Sequence, residues 1–213
     1  MLPDAPLLIA FAIAALAVIL SPGPDTVYVL SRSVGEGRLS GVVSSLGISA
    51  GLCVHVAAAS LGVSKLFDYA PLAFDVLRWA GVAYLLYLAW RAFTGDAAAP
   101  LNVPTGTERK KLLRAFTEAA LTNLLNPKII VFFIAFLPQF ANPARGQVAL
   151  QILLLGGMFI LVGFCWLTGL ALAFGYFGNW LKQSARFWRW QRWIMGTSLG
   201  GIALWLALPA RPR

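Results

Sequence analysis

Two charged residues interrupt apolar sequence in this chain. Asp25 closes the motif SPGPD, directly after the uncharged run 5–20, and Lys128 closes TNLLNPK, directly before the run IIVFF. In hydrocarbon each would cost about 2.5–3.5 kcal/mol on insertion scales, so the pair asks for a common explanation. Both sit beside prolines. Pro22 and Pro24 lack N–H groups, which leaves the carbonyls of Val18 and Leu20 without their helical partners, and Gly23 gives the chain room to turn. Asn126 followed by Pro127 reads as a helix cap and a first helical residue, whose free N–H groups attract anions. Lys128 follows at the electropositive end of that half-helix, where the dipole disfavours a cation. Lys128 and Asn126 could therefore hold a carboxylate, while Asp25 and the orphaned carbonyls could hold an ammonium. A free amino acid presents both groups.

The expected substrate-binding set is accordingly Pro22, Gly23, Pro24, Asp25, Asn123, Asn126, Pro127 and Lys128. Asp25 and Lys128 are expected to pair with each other, or alternately with a substrate, and Asp25 is the candidate for proton coupling. Asn123 and Thr122 flank the second break and could bond a substrate or only satisfy broken backbone. The bland alternative is a static Asp25–Lys128 ion pair, or Asp25 as a simple cap.

Other chemistries have little to work with. Cys53 and Cys165 lie in apolar runs without ligand-like spacing and read as small core residues. His55 is the single histidine and reads as hydrogen-bonded between helices, with a proton relay as the alternative. There is no His-Glu-x-x-His, no Gly-x-Ser-x-Gly and no Ser/His/Asp set, so no enzyme, metal site or cofactor is expected.

The elements that must position these residues are membrane helices. Of 213 residues 59% are hydrophobic and only 12% charged, where a soluble domain carries about 25% charged residues. A span needs about 20 apolar residues, and six runs qualify: 5–31, 39–64, 72–93, 114–138, 148–172 and 193–209. The start, MLPDAP, has no basic n-region, so the first helix is expected to stay. The fold expected is all-α, a single polytopic transporter domain over 1–213. It comprises a first three-helix repeat at 1–93, a cytoplasmic linker at 94–112 and a second repeat at 113–213. Three helices per half is an odd number, so the halves cross in opposite senses as an inverted repeat, and helices one and four are both broken near mid-membrane.

Basic residues set the orientation. Odd loops hold Arg32, Arg38, Arg91, Arg109, Lys110, Lys111, Arg114, Lys182, Arg186, Arg189 and Arg192, whereas even loops and the tail hold Lys65, Arg78, Arg145, Arg211 and Arg213. Odd loops are thus expected in the cytoplasm and both termini on the outer side of the membrane. The +9 net charge fits anionic lipid headgroups rather than nucleic acid. RFWRWQRW, at 186–193, reads as an interfacial anchor. GISAG and GTSLG, at 47–51 and 196–200, let helices approach closely, within the chain or, alternatively, in a homodimer. Tyr84, Tyr87 and Trp90 recur at helical spacing and read as helix packing, with closure over a substrate as the alternative, and Glu118 is expected to pair with Arg114 one turn away rather than to act as a gate or coupling residue.

SPGPD, the glycine-spaced GVVSSLGISAGLCVHVAAASLGVS, the aromatic GVAYLLYLAW and NLLNPKIIVFFIAFLPQF together resemble the LysE/RhtB superfamily of bacterial amino-acid exporters, in order and over essentially the whole chain. The resemblance implies a six-helix inner-membrane protein that moves amino acids or related small molecules out of the cytoplasm against proton entry. By motif position it points to Pro22, Gly23, Pro24, Asp25, Asn126, Pro127 and Lys128. It implies no particular substrate. The alternative is a lipid-handling or structural membrane protein, which would tolerate loss of Asp25 and Lys128 together.

Overall fold

A computed structural model of the chain describes residues 5–69 and 108–182, with scattered helical positions between 79 and 94 and between 189 and 207. Every regular element among the described residues is helical. The expected third and sixth spans and the linker lie largely outside the described residues, Tyr84 among them.

Helix α1, Ala5–Leu20, is apolar throughout, and α2, Pro24–Glu36, continues it after a bend of 49°. The prolines place the bend. The Ser21 N–H still donates to Ala17 O at 3.1 Å, completing the last turn of α1; Gly23 is then extended and Pro24 opens α2. Helix α2 runs five residues beyond the span expected to end at 31 and stops at Gly37, whose φ of +96° lies in the left-handed region that glycine enters without strain.

Helix α3, Arg38–Tyr69, packs on α2, on α4 (Glu108–Leu124) and on α6 (Val148–Lys182). Its close approach to α4 rests on absent side chains. A Cβ on Gly47 would fall 2.2 Å from the Phe116 carbonyl, and one on Gly51 would fall 2.7 Å from Asn123 Oδ1. GISAG is therefore a contact within the chain. GTSLG behaves alike at Gly196, which faces the Phe93 ring.

Helix α5, Pro127–Val131, lasts only five residues, and the segment from Lys128 to Phe140 leaves α4 at 53°. A half-helix running from this break to 138 was expected. Instead a π-helical turn, Phe132–Phe136, leads into a 3₁₀ turn, Leu137–Phe140. Pro138 explains the change: without an N–H it cannot donate to Ile134, so the helix loosens before it and tightens after it. Fragments this short have no stability of their own. Aromatic packing holds them, with Phe132 and Phe133 at 4.7 and 5.4 Å from the Phe159 ring of α6, and Phe140 at 5.5 Å from Phe11 of α1.

Arg38–Gly62 and Val148–Tyr176 are each long and apolar enough to cross a membrane, and each bent pair makes one further candidate span among the described residues. Ile9, Ile13, Val54, Leu61, Leu121 and Leu161 point outward, a surface suited to lipid. Cys53 and Cys165 are exposed on it, contrary to the core position expected, because a small thiol is apolar enough to face lipid. Tyr87 and Trp90 are exposed as well, so the aromatic run does not pack wholly between helices.

Candidate functional site

The two bends face each other, as their matching positions suggested. Asn126 caps α5 as expected, its Oδ1 accepting from the Lys128 backbone N–H at 3.1 Å, with Pro127 opening the helix. The Lys128 side chain does not stay at that end. It reaches across to α1, where Nζ donates to the carbonyls of Ser21 at 2.9 Å and Val18 at 3.3 Å. Val18 is the residue whose carbonyl Pro22 leaves without a helical donor. Lys128 thus caps the electronegative end of α1 and escapes the electropositive end of its own helix. A Cβ on Gly23 would sit 3.0 Å from Nζ, so glycine there leaves the ammonium its room.

Asp25, in the first turn of α2, is 7% exposed and accepts from Asn123 Nδ2 of α4 at 2.8 Å. The expected direct ion pair with Lys128 is not formed. The ammonium instead bonds two carbonyls, of which that of Val18 has lost its helical donor to Pro22. His55 joins α3 to this cluster as an interhelical contact, with Nε2 3.3 Å from the Asn123 carbonyl and its ring stacked 6.0 Å from Phe133.

Of the eight expected residues, Gly23, Asp25, Asn123, Asn126 and Lys128 converge here, while Pro22 and Pro127 shape the breaks. Pro24 is exposed and serves to open α2. Thr122 bonds back to the Glu118 carbonyl within α4. Ser21, His55 and Gly51 also belong to the cluster; Ser21 and Gly51 lay in motifs read for their backbone or packing role, and His55 makes the interhelical hydrogen bond expected of it.

Four of the five buried side-chain polar atoms that lack a hydrogen-bond partner among the described residues lie at this crossing: Ser21 Oγ, Asp25 Oδ1, Asn123 Oδ1 and Asn126 Nδ2. Each such atom costs about 1–3 kcal/mol. Their chemistry is sorted. Asn123 must turn Nδ2 to the carboxylate and so leaves its oxygen, which faces Gly51 of α3, without a donor, and the second oxygen of Asp25 also lacks one; Asn126 accepts through its oxygen and so offers its N–H groups.

A second polar cluster, which the sequence reading foresaw only as the Arg114–Glu118 pair, joins α2 to α4. Arg32, expected in a loop, is buried in α2. It bonds Glu36 and Tyr28 on its own helix, and its Nη2 lies 2.5 Å from Glu118 Oε2. Tyr28 Oη donates to Glu118 at 3.1 Å, and Arg114 Nε meets the other Glu118 oxygen at 2.6 Å. The Arg32-to-Glu36 spacing of four was the available signal.

Helices long enough to span lipid, two further spans bent at prolines, and buried charge where the bends cross define a polytopic α-helical membrane protein with a polar interior. Residues 16–209 match the family described as LysE type translocator, and the chain belongs to that family. It is 35% identical over 176 residues to a homoserine/homoserine lactone efflux protein of Salmonella typhimurium, covering 81% of this chain and 82% of that one. It is 28% identical over 203 residues to a leucine efflux protein of Salmonella choleraesuis, covering 92% of each. These names describe efflux proteins, not enzymes. No solved structure matches the chain.

Proposed function

We propose that the protein is a secondary transporter that exports amino acids or related small molecules from the cytoplasm, with the substrate bound where the two bent helices cross. The observation that carries this is the sorted set of buried atoms without partners: acceptors from Asp25 and Asn123 for an ammonium, donors from Asn126 and Ser21 for a carboxylate or carbonyl. Two proline-broken helices in corresponding positions are the usual construction of such a site. The relatives support the substrate class, since homoserine, homoserine lactone and leucine, the compounds in their names, all carry a primary ammonium.

In this reading the chain forms two inverted three-helix repeats in a bacterial inner membrane, with both termini outside, and works by alternating access. Asp25 carries the coupled proton: it is the buried carboxylate at the crossing and one of its oxygens is free to receive it. The test is efflux of a labelled amino-acid panel from preloaded proteoliposomes, with and without an inward proton gradient. Faster efflux of one or more amino acids than from empty liposomes, accelerated by the gradient, is the expected result. Efflux that ignores the gradient removes the proton from the mechanism, and a panel in which nothing moves removes the substrate class.

A further inference from the structure

The position of Lys128 says what the carbonyl end of α1 binds. Its side chain ends in a primary alkylammonium, the same group as the ammonium of an amino acid, held by two carbonyls at 2.9 and 3.3 Å. Beside it stands a carboxylate with one oxygen unpartnered and 93% buried, from the 7% exposure of Asp25. The two carbonyls take two of the three N–H groups of a primary ammonium, and the third is open to Asp25, with which the tethered Lys128 ammonium does not pair. A quaternary or acylated nitrogen cannot fill that set.

We infer that the carbonyls of Val18 and Ser21, with Asp25, form an ammonium subsite, and that Lys128 is its tethered occupant, displaced when a substrate ammonium enters. This rests on the amino-acid reading of the crossing. Displacement conserves charge at the subsite, one ammonium for another, so the burial of Asp25 and of the α1 carbonyls stays compensated throughout. The freed Lys128 ammonium then lies beside Asn126 Nδ2, and together they face the substrate's carboxylate or carbonyl oxygen. Gly23 belongs to the same device, because a Cβ at 3.0 Å from Nζ would crowd whichever ammonium sits there. The ammonium is on this account the group every substrate must carry, whereas the acid group can be an ester.

The test is chemical rescue. Lys128→Ala leaves the two carbonyls and Asp25 without their ammonium. Butylammonium chloride, at about five times its Kd, should raise the unfolding midpoint of the purified variant in detergent by about 2–4 °C. Butyltrimethylammonium at the same ionic strength should not, and neither salt should shift the wild type by that amount. No stabilisation, or equal stabilisation by the quaternary salt, overturns the subsite whether or not the protein exports amino acids. If Lys128→Ala does not fold, competition against wild-type efflux decides. The methyl ester of the exported amino acid should compete and its N-acetyl derivative should not; competition by the N-acetyl derivative overturns the inference.

Discussion

Asp25 and Lys128 look in the sequence like an ion pair, and the structure gives each of them a different partner. The difference is physical. A proline that removes a donor creates a carbonyl needing one, and a lysine four methylenes long reaches it from the neighbouring helix. The identity of the charged residues was legible because charge in apolar sequence is conspicuous; their partners were not, because these are backbone atoms and amides from elements far apart in the chain. Asp25→Asn is expected to fold, since an amide still accepts from Asn123, and to lose transport by at least about tenfold, read as initial efflux rate. Gly51→Ala tests the support of the site. Its Cβ would fall 2.7 Å from Asn123 Oδ1 and 3.0 Å from the Ala120 carbonyl, so overpacking should cost about 1–3 kcal/mol and slow efflux. Gly62→Ala, with nothing within 4 Å, is the control and should leave both unchanged or slightly improve stability.

Helix breaks, caps and one interhelical stripe were readable at the level of elements. SPGPD and NPK give bends of 49° and 53°, Asn126 caps as its type and place suggest, and GISAG packs on α4. The π and 3₁₀ turns after α5 were hidden in a hydrophobic run that satisfies a helical pattern equally well, and only Pro138 marked them. The Arg32–Glu118 clasp was hidden because it joins residues 86 apart. It ties α2 to α4, which carry Asp25 and Asn123, and so fixes how the two sides of the crossing are set. Glu118→Gln should weaken it by about 1 kcal/mol, because the Glu118 side chain is 37% exposed and water screens the contact. Arg32→Gln in the same background should then cost less than it does alone, and a double-mutant cycle on unfolding in detergent reads the coupling; strict additivity would mean the contact carries no energy.

Over the whole molecule, composition and basic residues decide more than any motif. A chain 59% hydrophobic with outward-facing Ile, Val and Leu is a membrane protein before any residue is assigned a task. Orientation rests on where its lysines and arginines fall, and it is testable directly. In a Cys53→Ala, Cys165→Ala background, Arg211→Cys is expected to react with an impermeant maleimide added outside intact cells, and Thr107→Cys only after permeabilisation; the reverse pattern would invert the topology. The central claim is that the crossing of the broken helices is where the exported molecule binds. The measurement that tests it most directly is equilibrium binding of the transported amino acid to purified wild type, Asp25→Asn and Asn126→Ala, each shown by circular dichroism and gel filtration to be folded. The account predicts saturable binding by the wild type and a loss of at least about tenfold in both variants, about 1.4 kcal/mol. Undiminished binding by both folded variants would contradict it and place the substrate elsewhere in the protein.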